Sequence, residues 1–566
     1  MGRRVSIVHA ISAAGALSAL ALAGCSVDTA VQTTSSTPNQ IQHAYVTVVA
    51  VWINSSAGAT ISDPGWAQST LPTPQTIDLA TLNSGVVADL VSSLKMTAGT
   101  VAQVRLVLAD SSATLESSAQ TAGLSTNDAV VYTDSSGNAH TIALEFASPT
   151  TSFIVPTSLT LQGESAGTFL NQSQTTTATT PTTTSSGSTA TATVAVDIGA
   201  LRNLILFNYG TQVGALLTPS LNAADASEAG AISGTLDLSA LPAASVGSYQ
   251  GVVVSAEAVS SDGTRFVEVK STAVSGDGTF TLYPLVVSTS GNTTYDLVIH
   301  GVGAQTVIVT QVPVSAGDAS TATNVQSSAI TLTPASNYSV NVARNSTPVP
   351  GGTQVDFYQT LVAGAVPYLV EFNLINPFSG GFANNVVLPA ASVAIGAYNS
   401  GNSISFSTVR PAEGIGGYQI VSEGPLRAAS ALNTGVAGSL LSVASSDFVV
   451  PIVPPLPALA TGSNIGALTG TVTVGSPGRY DSAVLLVSQG GQLVDSVNLS
   501  TAIASGARSF TFDDSTVPAG LPQAVYDVSV RAWKSSDPTA TLVRIGLANQ
   551  IDMRQSNAAN VTIPLP

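Results

Sequence analysis

Most of the chain after residue 40 alternates apolar and polar positions in the way that is typical of β-strands. The segment HAYVTVVAVWI at 43–53 is β-branched and aromatic, and TVAQVRLVLA at 100–109 alternates imperfectly. Residues 130–146 predict two short strands across a Ser-Gly-Asn turn, and residues 478–500 predict a hairpin near a Gly-Gly pair. Turn signals recur about every ten residues, which favours an all-β fold class of tandem β-sandwiches.

One segment departs from this pattern. In SGVVADLVSSLKM at 84–96, the apolar residues Val87, Leu90, Val91 and Leu94 recur at spacings of three and four. Such spacings place side chains on one face of a helix. We therefore expect one short helix in the first domain.

An internal repeat indicates two related sandwiches. The matching segments, each given with its partner, are 230–239 and 466–475, 275–285 and 505–515, 295–301 and 526–532, and 328–334 and 559–565. The third pair reads YDLVIHG and YDVSVRA. This order of segments resembles the carboxypeptidase-regulatory or transthyretin-like β-sandwich, which is common in exported multidomain proteins.

Two polar stretches punctuate the chain. Residues 25–42 are rich in Thr and Ser and predict a flexible spacer. Residues 171–193 are low in complexity and predict a long loop, because such a run cannot form a core. The predicted organisation is a signal peptide at 1–24, the spacer at 25–42, a first β domain at 43–225, a first repeat at 230–345, an intermediate β domain at 346–462, and a second repeat at 463–566.

The first 25 residues have the layout of a secretory signal. Arg3 and Arg4 precede an almost wholly apolar or small run from residue 5 to residue 22. The run ends in Leu-Ala-Gly-Cys, which resembles the bacterial lipobox, and Cys25 is the only cysteine in the chain. The resemblance implies cleavage between Gly24 and Cys25 and a lipid on Cys25. An ordinary signal or an uncleaved anchor are the alternatives.

The lipid would set the location of the protein. Two or more acyl chains anchor a protein stably, whereas one holds it only marginally. In Gram-negative lipoproteins an aspartate after the cysteine favours the inner membrane, and here that residue is Ser26. The resemblance therefore implies a cell-envelope protein, lipid-anchored at the outer membrane and facing the periplasm or the surface.

Charge narrows the set of partners. Charged residues make up only 8% of the chain, and the formal net charge of −16 becomes −18 when Arg3 and Arg4 leave with the signal. This excess of acid argues against nucleic acid as a partner. A single cysteine allows no intrachain disulfide, so the domains must be stabilised by their cores.

The first domain has a more specific likeness. Residues 77–115 carry Ile77, Asp78, Leu79 and Leu82, and then an Ala-Gly-x-x-x-Gln-x-Arg-Leu segment. The positions of that segment are Ala98, Gly99, Gln103, Arg105 and Leu106. The pattern resembles DUF4382, a family of unknown function found in bacterial lipoproteins. The family brings no known catalytic residue, so the resemblance implies none here.

Two serine motifs resemble catalytic sites. GESAG at 163–167 matches Gly-x-Ser-x-Gly, but no helix follows Ser165 and the only later histidine is His300. Ser92 and Lys95 form Ser-x-x-Lys without the Ser-Asp-Asn and Lys-Thr-Gly partners of penicillin-binding enzymes. We interpret Ser165 as a turn residue and Lys95 as a helix-end cation, and we expect no enzyme.

Other chemistry-bearing residues have structural interpretations. The histidines His43, His140 and His300 are too far apart in sequence for a metal-ligand spacing, so we expect no metal and no cofactor. Asp262-Gly263 and Asp277-Gly278 predict turns rather than calcium loops. The three tryptophans are Trp52, Trp66 and Trp533, and we expect them in cores rather than in a sugar platform.

The sequence thus predicts a membrane-anchored, non-enzymatic lipoprotein that displays β-sandwiches for adhesion, scaffolding or surface structure. Its partners would be the membrane, through the lipid, and an envelope protein or polysaccharide. A glycan- or peptide-binding lipoprotein is the alternative, and a serine hydrolase using Ser165 is the second alternative.

Overall fold

The computed structural model describes most of the chain after residue 25. The described residues are 26–161 without 57–58, 98, 111–112 and 149–151; 191–343 without 249–250, 289–292, 318–320 and 326–329; 354–442 without 362–364, 380–382, 389–391, 401–403, 410–417, 425–426 and 434–439; and 460–566 without 477, 506–508, 512–520, 538–541, 547–549 and 555–557. They form strands in seven sheets and a few short helices, which confirms the all-β fold class.

The first domain consists of two sheets around one core. Its strands are β1 Ser26–Ser36, β2 Ile41–Asn54, β3 Ala67–Asp78, β4 Ala88–Thr97, β5 Gly99–Leu108, β6 Ala129–Thr133, β7 Ala139–Phe146, β8 Ser152–Leu161, β9 Thr191–Gly199, β10 Leu204–Tyr209, β11 Gln212–Leu217 and β12 Ser220–Asp225. One sheet has the order β12-β9-β1-β4, and the other has the order β10-β11-β7-β6-β2-β5-β8 with β3 beside β2. Apolar side chains of both sheets form the core between them, among them Val31 and Val196 from the first sheet and Val48 and Leu106 from the second.

The predicted spacer is wrong over most of its length. Residues 26–36 are β1, which lies inside its sheet, antiparallel to β4 and parallel to β9. Val31 is fully buried, and so are Thr29, Thr33 and Thr34. A Thr- and Ser-rich stretch can form such a strand because β-branched threonine fits the pleated backbone. Cys25 and the rest of the signal lie outside the described residues.

The helix predicted at 84–96 is also wrong. A 3₁₀ helix spans Leu79–Gly85, and β4 follows it. The pairing of β4 with β1 shifts twice, between Thr29 and Val31 and between Val31 and Gln32. Each shift inserts an extra residue in β4, and such bulges bring Leu90, Val91 and Leu94 to the buried side. The bulged strand therefore imitates the spacing of a helix.

The other strand predictions in this domain are confirmed. β2 and β5 occupy the segments 43–53 and 100–109, and β6 and β7 form the predicted hairpin at 130–146. The Thr-rich loop predicted at 171–193 lies mostly outside the described residues, and its last three residues begin β9. Besides the 3₁₀ helix Leu79–Gly85, the described part of this domain contains α1 Ser117–Thr121, and a 3₁₀ turn at Ala226–Glu228 follows β12.

The first repeat follows directly. Its elements are β13 Ala229–Asp237, α2 Ala243–Val246, β14 Val252–Val259, β15 Phe266–Ala273, β16 Thr279–Val286, β17 Thr293–Gly301, β18 Thr306–Val314, β19 Thr323–Asn324 and β20 Ile330–Thr331. One sheet contains β16, β13, β19 and β20, and the other begins β15-β14-β17-β18.

The second repeat ends the chain. Its elements are β30 Ala460–Val474, β31 Ser482–Gln489, β32 Gln492–Asn498, α3 Ser500–Ser505, β33 Ser509–Thr511, β34 Leu521–Trp533, β35 Val543–Gly546, β36 Ile551–Asp552 and β37 Ala558–Leu565. The predicted hairpin is β31 and β32, which turn at Gly490 and Gly491 with φ of +62° and +93°. Glycine is favoured there because it adopts positive φ without a steric cost.

The two repeats share their strand pairing. Gly234 of β13 lies opposite Phe280, and Gly470 of β30 lies opposite Phe510. Each first strand also pairs in parallel with a closing strand, β20 in one copy and β37 in the other. The sheet order β15-β14-β17-β18 recurs as β32-β31-β34-β35. The segments matched in sequence therefore occupy equivalent places in the fold.

The intermediate region is continuous with the first repeat. Its elements are β21 Tyr338–Ala343, β22 Gln354–Gln359, β23 Tyr368–Leu374, a 3₁₀ turn Pro377–Ser379, β24 Ala383–Leu388, β25 Val393–Ala397, β26 Ser407–Val409, β27 Tyr418–Gly424, β28 Arg427–Asn433 and β29 Leu440–Ser442. β25 pairs in parallel with β18 and so extends the sheet of the first repeat. Val298 and Ile308 of that sheet pack in the same cluster as Phe357 and Ile420 of the region.

Candidate functional site

A group of buried charges lies where the first domain meets the first repeat and the intermediate region. Arg202 follows β9, Glu268 is on β15, His300 is on β17, and Glu371 is on β23. The pairing of β15 with β14 shifts by one residue between Glu268 and Lys270, and both side chains reach the first domain, where they contact Arg202 and Asp197. This side of the first repeat is turned away from its own core, which places the charges at the junction.

Arg202 is the centre of this group, and its side chain is only 2% exposed. Its Nη2 lies 3.0 Å from Glu268 Oε2 and 3.1 Å from His300 Nε2. Its Nη1 lies 3.8 Å from Glu371 Oε1, and its guanidinium carbon is 4.4 Å from the centre of the Phe372 ring. A single arginine thus contacts the first repeat and the intermediate region together.

Burial and the charge of Arg202 determine the protonation of the two titratable residues beside it, His300 and Glu371. Burial and the charge of Arg202 hold the pKa of His300 well below 6.5, so the imidazole is neutral. Because arginine can only donate, His300 Nε2 accepts and its proton is assigned to Nδ1. Burial raises the pKa of Glu371 to about 7, although Arg202 opposes the rise.

Two further contacts complete the junction. Lys270 Nζ donates to Asp197 Oδ1 of β9 at 2.5 Å, and both side chains are less than a tenth exposed. Burial raises the pKa of Asp197, and Lys270 opposes the rise. On β14, Glu257 accepts from the backbone N–H of Leu369 at 3.1 Å, and burial raises its pKa well above the usual range. The repeat is therefore bonded to both of its neighbours.

A cavity of about 230 Å³ lies beside these charges. Four parts of the chain contribute to its wall: the first domain, β15 of the first repeat, the intermediate region, and the turn of the second repeat's hairpin at Gln492 and Leu493. Arg202 and Lys270 lie on its buried side, whereas Ser220 and Asn222 are exposed.

The first domain also docks on the second repeat. Arg531 of β34 donates from Nε to Glu145 Oε2 at 3.1 Å and from Nη2 to the carbonyl of Phe146. Arg544 approaches the same Glu145 oxygen at 3.2 Å. Ser529 Oγ donates to the carbonyl of Ala147 at 2.9 Å. The outward face of β34 is thus bonded along the end of β7.

Apolar contacts surround this second junction. Phe207 of the first domain stacks on Phe378 with ring centres 3.7 Å apart, and Trp533 lies 6.1 Å from Phe378. These rings form one cluster with Leu216 and Leu486. Burial lowers the pKa of Arg531 to about 10, which leaves the guanidinium charged at neutral pH.

The two junctions use equivalent positions. His300 is the sixth residue of YDLVIHG, and Arg531 is the sixth residue of YDVSVRA. The side chains are 1% and 3% exposed, and each contacts a charged residue of the first domain. The same outward strand face therefore carries the docking contact in both repeats.

The residues singled out in the sequence do not gather at these junctions, apart from His300 and Trp533. Ser165 and Cys25 lie outside the described residues. Ser92 is exposed on β4. Lys95 belongs to the same strand, so its interpretation as a helix-end cation is wrong. His43 and His140 each bond a nearby aspartate, Asp78 at 2.6 Å and Asp134 at 2.8 Å.

The structure shows where the two predicted Asp-Gly turns and the three tryptophans lie. Asp262 accepts from Thr264 N–H, and Asp277 accepts from Thr279 N–H, so both aspartates cap turns. The ring centres of Trp52 and Trp66 lie 5.8 Å apart in the first domain, and Trp533 belongs to the second junction.

Among the described residues, no group of three or more His, Cys, Asp and Glu could hold a metal ion. No helix in the described part of the chain is long and apolar enough to cross a membrane.

The sequence analysis did not predict the charged residues of the two junctions, which are Arg202, Glu145, Lys270 and Arg531. One signal could have found Lys270 and Arg531, because a charged residue inside an apolar strand needs a buried partner. Arg531 stands in YDVSVRAW, and Lys270 ends FVEVK. The partners could not be found, because they lie far away in sequence and no local pattern pairs them.

The family likeness of the first domain is confirmed. Residues 30–154 match the family described as a domain of unknown function, DUF4382. Within the recognised pattern, Asp78 accepts from the backbone N–H of Ala44 and of Ala80, and Arg105 is 1% exposed. These pattern residues hold the fold together. No curated protein matches the chain.

Several solved structures of surface proteins show distant similarity. The shaft pilin SpaA of Lactobacillus rhamnosus GG is 11% identical, with 41% of this chain and 98% of that chain covered and a TM-score of 0.17. The pilus adhesin SpaC of the same organism is 10% identical, with 62% and 45% covered and a TM-score of 0.14. The major pilin SpaA of Corynebacterium diphtheriae is 10% identical, with 59% and 99% covered and a TM-score of 0.11. Scores this low do not establish a shared fold.

Proposed function

We propose that the protein is a non-enzymatic, lipid-anchored protein of the cell envelope that presents its β domains as one docked body. Its role would be adhesion, scaffolding or surface structure. The observation that carries the proposal is the pair of buried ionic junctions at Arg202 and Arg531, which join the first domain to both repeats. A string of independent modules would not need buried charges between them.

The energetics of the junctions favour permanent docking. Removing one partner of a buried ion pair costs about 3–5 kcal/mol, because the other charge stays buried without compensation. Undocking instead moves both charges into water, but it also exposes the apolar cluster around Phe207, Phe378 and Trp533. We infer that the docked arrangement is the working state of the protein.

The position of β1 changes how the anchor would act. Its first residue, Ser26, comes directly after Cys25, and Ser26 already pairs with Thr97 of β4. A lipid on Cys25 would then hold the start of β1 directly at the headgroups of the membrane, with no spacer between them. The height of the protein above the membrane would be set by the docked domains themselves.

Anchoring is tested by metabolic labelling with a palmitate analogue in the native host. The wild type and a Ser26→Ala control should incorporate the label and float with membranes, and Cys25→Ala should do neither. Label in Cys25→Ala would contradict the anchor. Protease treatment of whole cells then tests display, because a surface protein is cut in intact cells and a periplasm-facing one only after lysis.

A further inference from the structure

The cavity at the first junction contains polar groups that the protein itself does not satisfy. Within the described residues, Nε and Nη1 of Arg202 have no hydrogen-bond partner of standard geometry, and Glu268 Oε2 has only its ion contact with Arg202 Nη2 at 3.0 Å. All three atoms are buried, and both residues line the cavity. Leaving a buried donor unsatisfied costs about 1–3 kcal/mol, so the two Arg202 donors favour an acceptor inside the cavity.

The size of the cavity limits that partner. A volume of about 230 Å³ has room for several water molecules or for one small organic molecule. Small-molecule sites also occur preferentially where domains meet, and four parts of the chain meet here. The exposed residues Ser220 and Asn222 mark the side at which a ligand would enter.

The charges of the wall argue for a neutral ligand. Lys270 is paired with Asp197, and Arg202 contacts both Glu268 and Glu371. Asp356, the other charged residue of the wall, accepts from Gln354 at 2.7 Å. A charged ligand would have to displace one of these partners and leave a buried charge uncompensated, which is costly. A neutral ligand needs only to donate to Glu268 and to accept from Arg202.

The remaining lining matches a hydroxyl-rich molecule. The amide of Asn222 both donates and accepts, as hydroxyls do. Asn203 and Gln354 also line the cavity and add amide oxygens as acceptors, while their nitrogens donate to Gly199 and Asp356. Leu369 and Tyr358 add apolar surface for the C–H faces of such a molecule.

We infer that this junction cavity is a binding site for a small neutral polyhydroxylated molecule of monosaccharide size. The inference adds a ligand to the docked body, and it does not depend on the lipid anchor. The ligand would bridge the first domain and the first repeat through Arg202 and Glu268, and its binding would strengthen their docking.

The site can be tested on the chain of residues 26–566, which lacks the anchor. Isothermal titration calorimetry would use glucose, galactose, mannose and N-acetylglucosamine as neutral probes, and glucuronate and glucosamine as charged ones. At least one neutral sugar should bind with a Kd of about 1 mM or tighter and more tightly than the charged probes. If no neutral sugar binds, the cavity is filled by water only, and the inference is overturned.

A variant at the mouth of the cavity locates the binding. Asn222 is exposed and lies opposite Asp197 across the β12 and β9 pair, so Asn222→Trp should narrow the entrance without disturbing the core. We expect it to weaken binding by about tenfold or more, and we expect Ser135→Trp, on an exposed turn, to leave binding unchanged. Equal binding by wild type and Asn222→Trp would place the ligand elsewhere and overturn the inference.

Discussion

Arg202 Nη2 lies 3.1 Å from His300 Nε2, so a guanidinium of the first domain donates to a buried imidazole of the first repeat. This contact requires a neutral histidine, because a protonated one would have no acceptor for the arginine. Docking is therefore coupled to pH through His300.

The first prediction follows from that coupling. The pKa of His300 is well below 6.5 in the folded protein, so the unfolded chain binds more protons there as the pH falls below 6.5. This lowers the free energy of unfolding in acid. His300→Gln keeps a neutral acceptor and should lose that acid sensitivity, as measured by urea unfolding between about pH 5 and pH 8. His140→Gln, away from the junction, should keep it; equal curves for wild type and His300→Gln would contradict the prediction.

We expect Glu371 to change the free energy of unfolding with pH in the direction opposite to His300. Its pKa of about 7 in the folded protein exceeds the ordinary 4.5, so the folded state binds more protons than the unfolded chain across that interval. Stability should fall as the pH rises from 4.5 through about 7, by about 3 kcal/mol in total. Glu371→Gln should remove the fall, and the difference between variant and wild type should grow with pH. A constant difference would show that Glu371 does not titrate in this way.

The second junction predicts an asymmetry between its two charges. Glu145→Ala leaves Arg531 buried beside Arg544 without an anion and should cost about 3–5 kcal/mol. Arg531→Met should cost less, because Arg544 still neutralises Glu145 at 3.2 Å. Urea unfolding of both variants measures the two costs.

Arg554 supplies the matched control for that pair. It also joins the first domain to the second repeat, through Asp63 at 3.1 Å, but the two side chains are 22% and 36% exposed. Exposed ion pairs contribute about 0–1 kcal/mol, so Arg554→Met should have a small effect. If it were as costly as Glu145→Ala, burial would not be what makes the junction strong.

The strand that replaces the predicted spacer gives another prediction. Val31 is fully exposed in a flexible spacer but 0% exposed in β1. Val31→Asp should therefore cost about 4 kcal/mol or more and unfold the first domain, as seen by circular dichroism. Val259→Asp, at a valine that is 49% exposed, is the control and should cost about 1 kcal/mol or less. If the two variants lost similar amounts of stability, residues 26–36 would be a flexible spacer and not a buried strand.

Strands and repeats were predictable because their signals are local. The alternation in β2 and β5 and the Gly-Gly turn after β31 depend on neighbouring residues only. The errors arose where tertiary structure decides: β1 has the composition of a linker but is buried between β4 and β9, and bulges in β4 imitate a helix. The junctions were not predictable, since Arg202 and His300 are 98 positions apart in sequence.

The rigid docking of the domains is tested most directly by pulsed electron–electron distance measurements. Cys25 is the only cysteine, so the chain of residues 26–566 accepts spin labels at introduced cysteines alone. Ser135 in the first domain, Ser261 in the first repeat and Ser536 in the second repeat are exposed positions. The pairs Ser135→Cys with Ser261→Cys and Ser135→Cys with Ser536→Cys should each give one narrow distance peak, and Glu145→Ala should broaden the second. Broad distributions in the unaltered background would contradict a docked body.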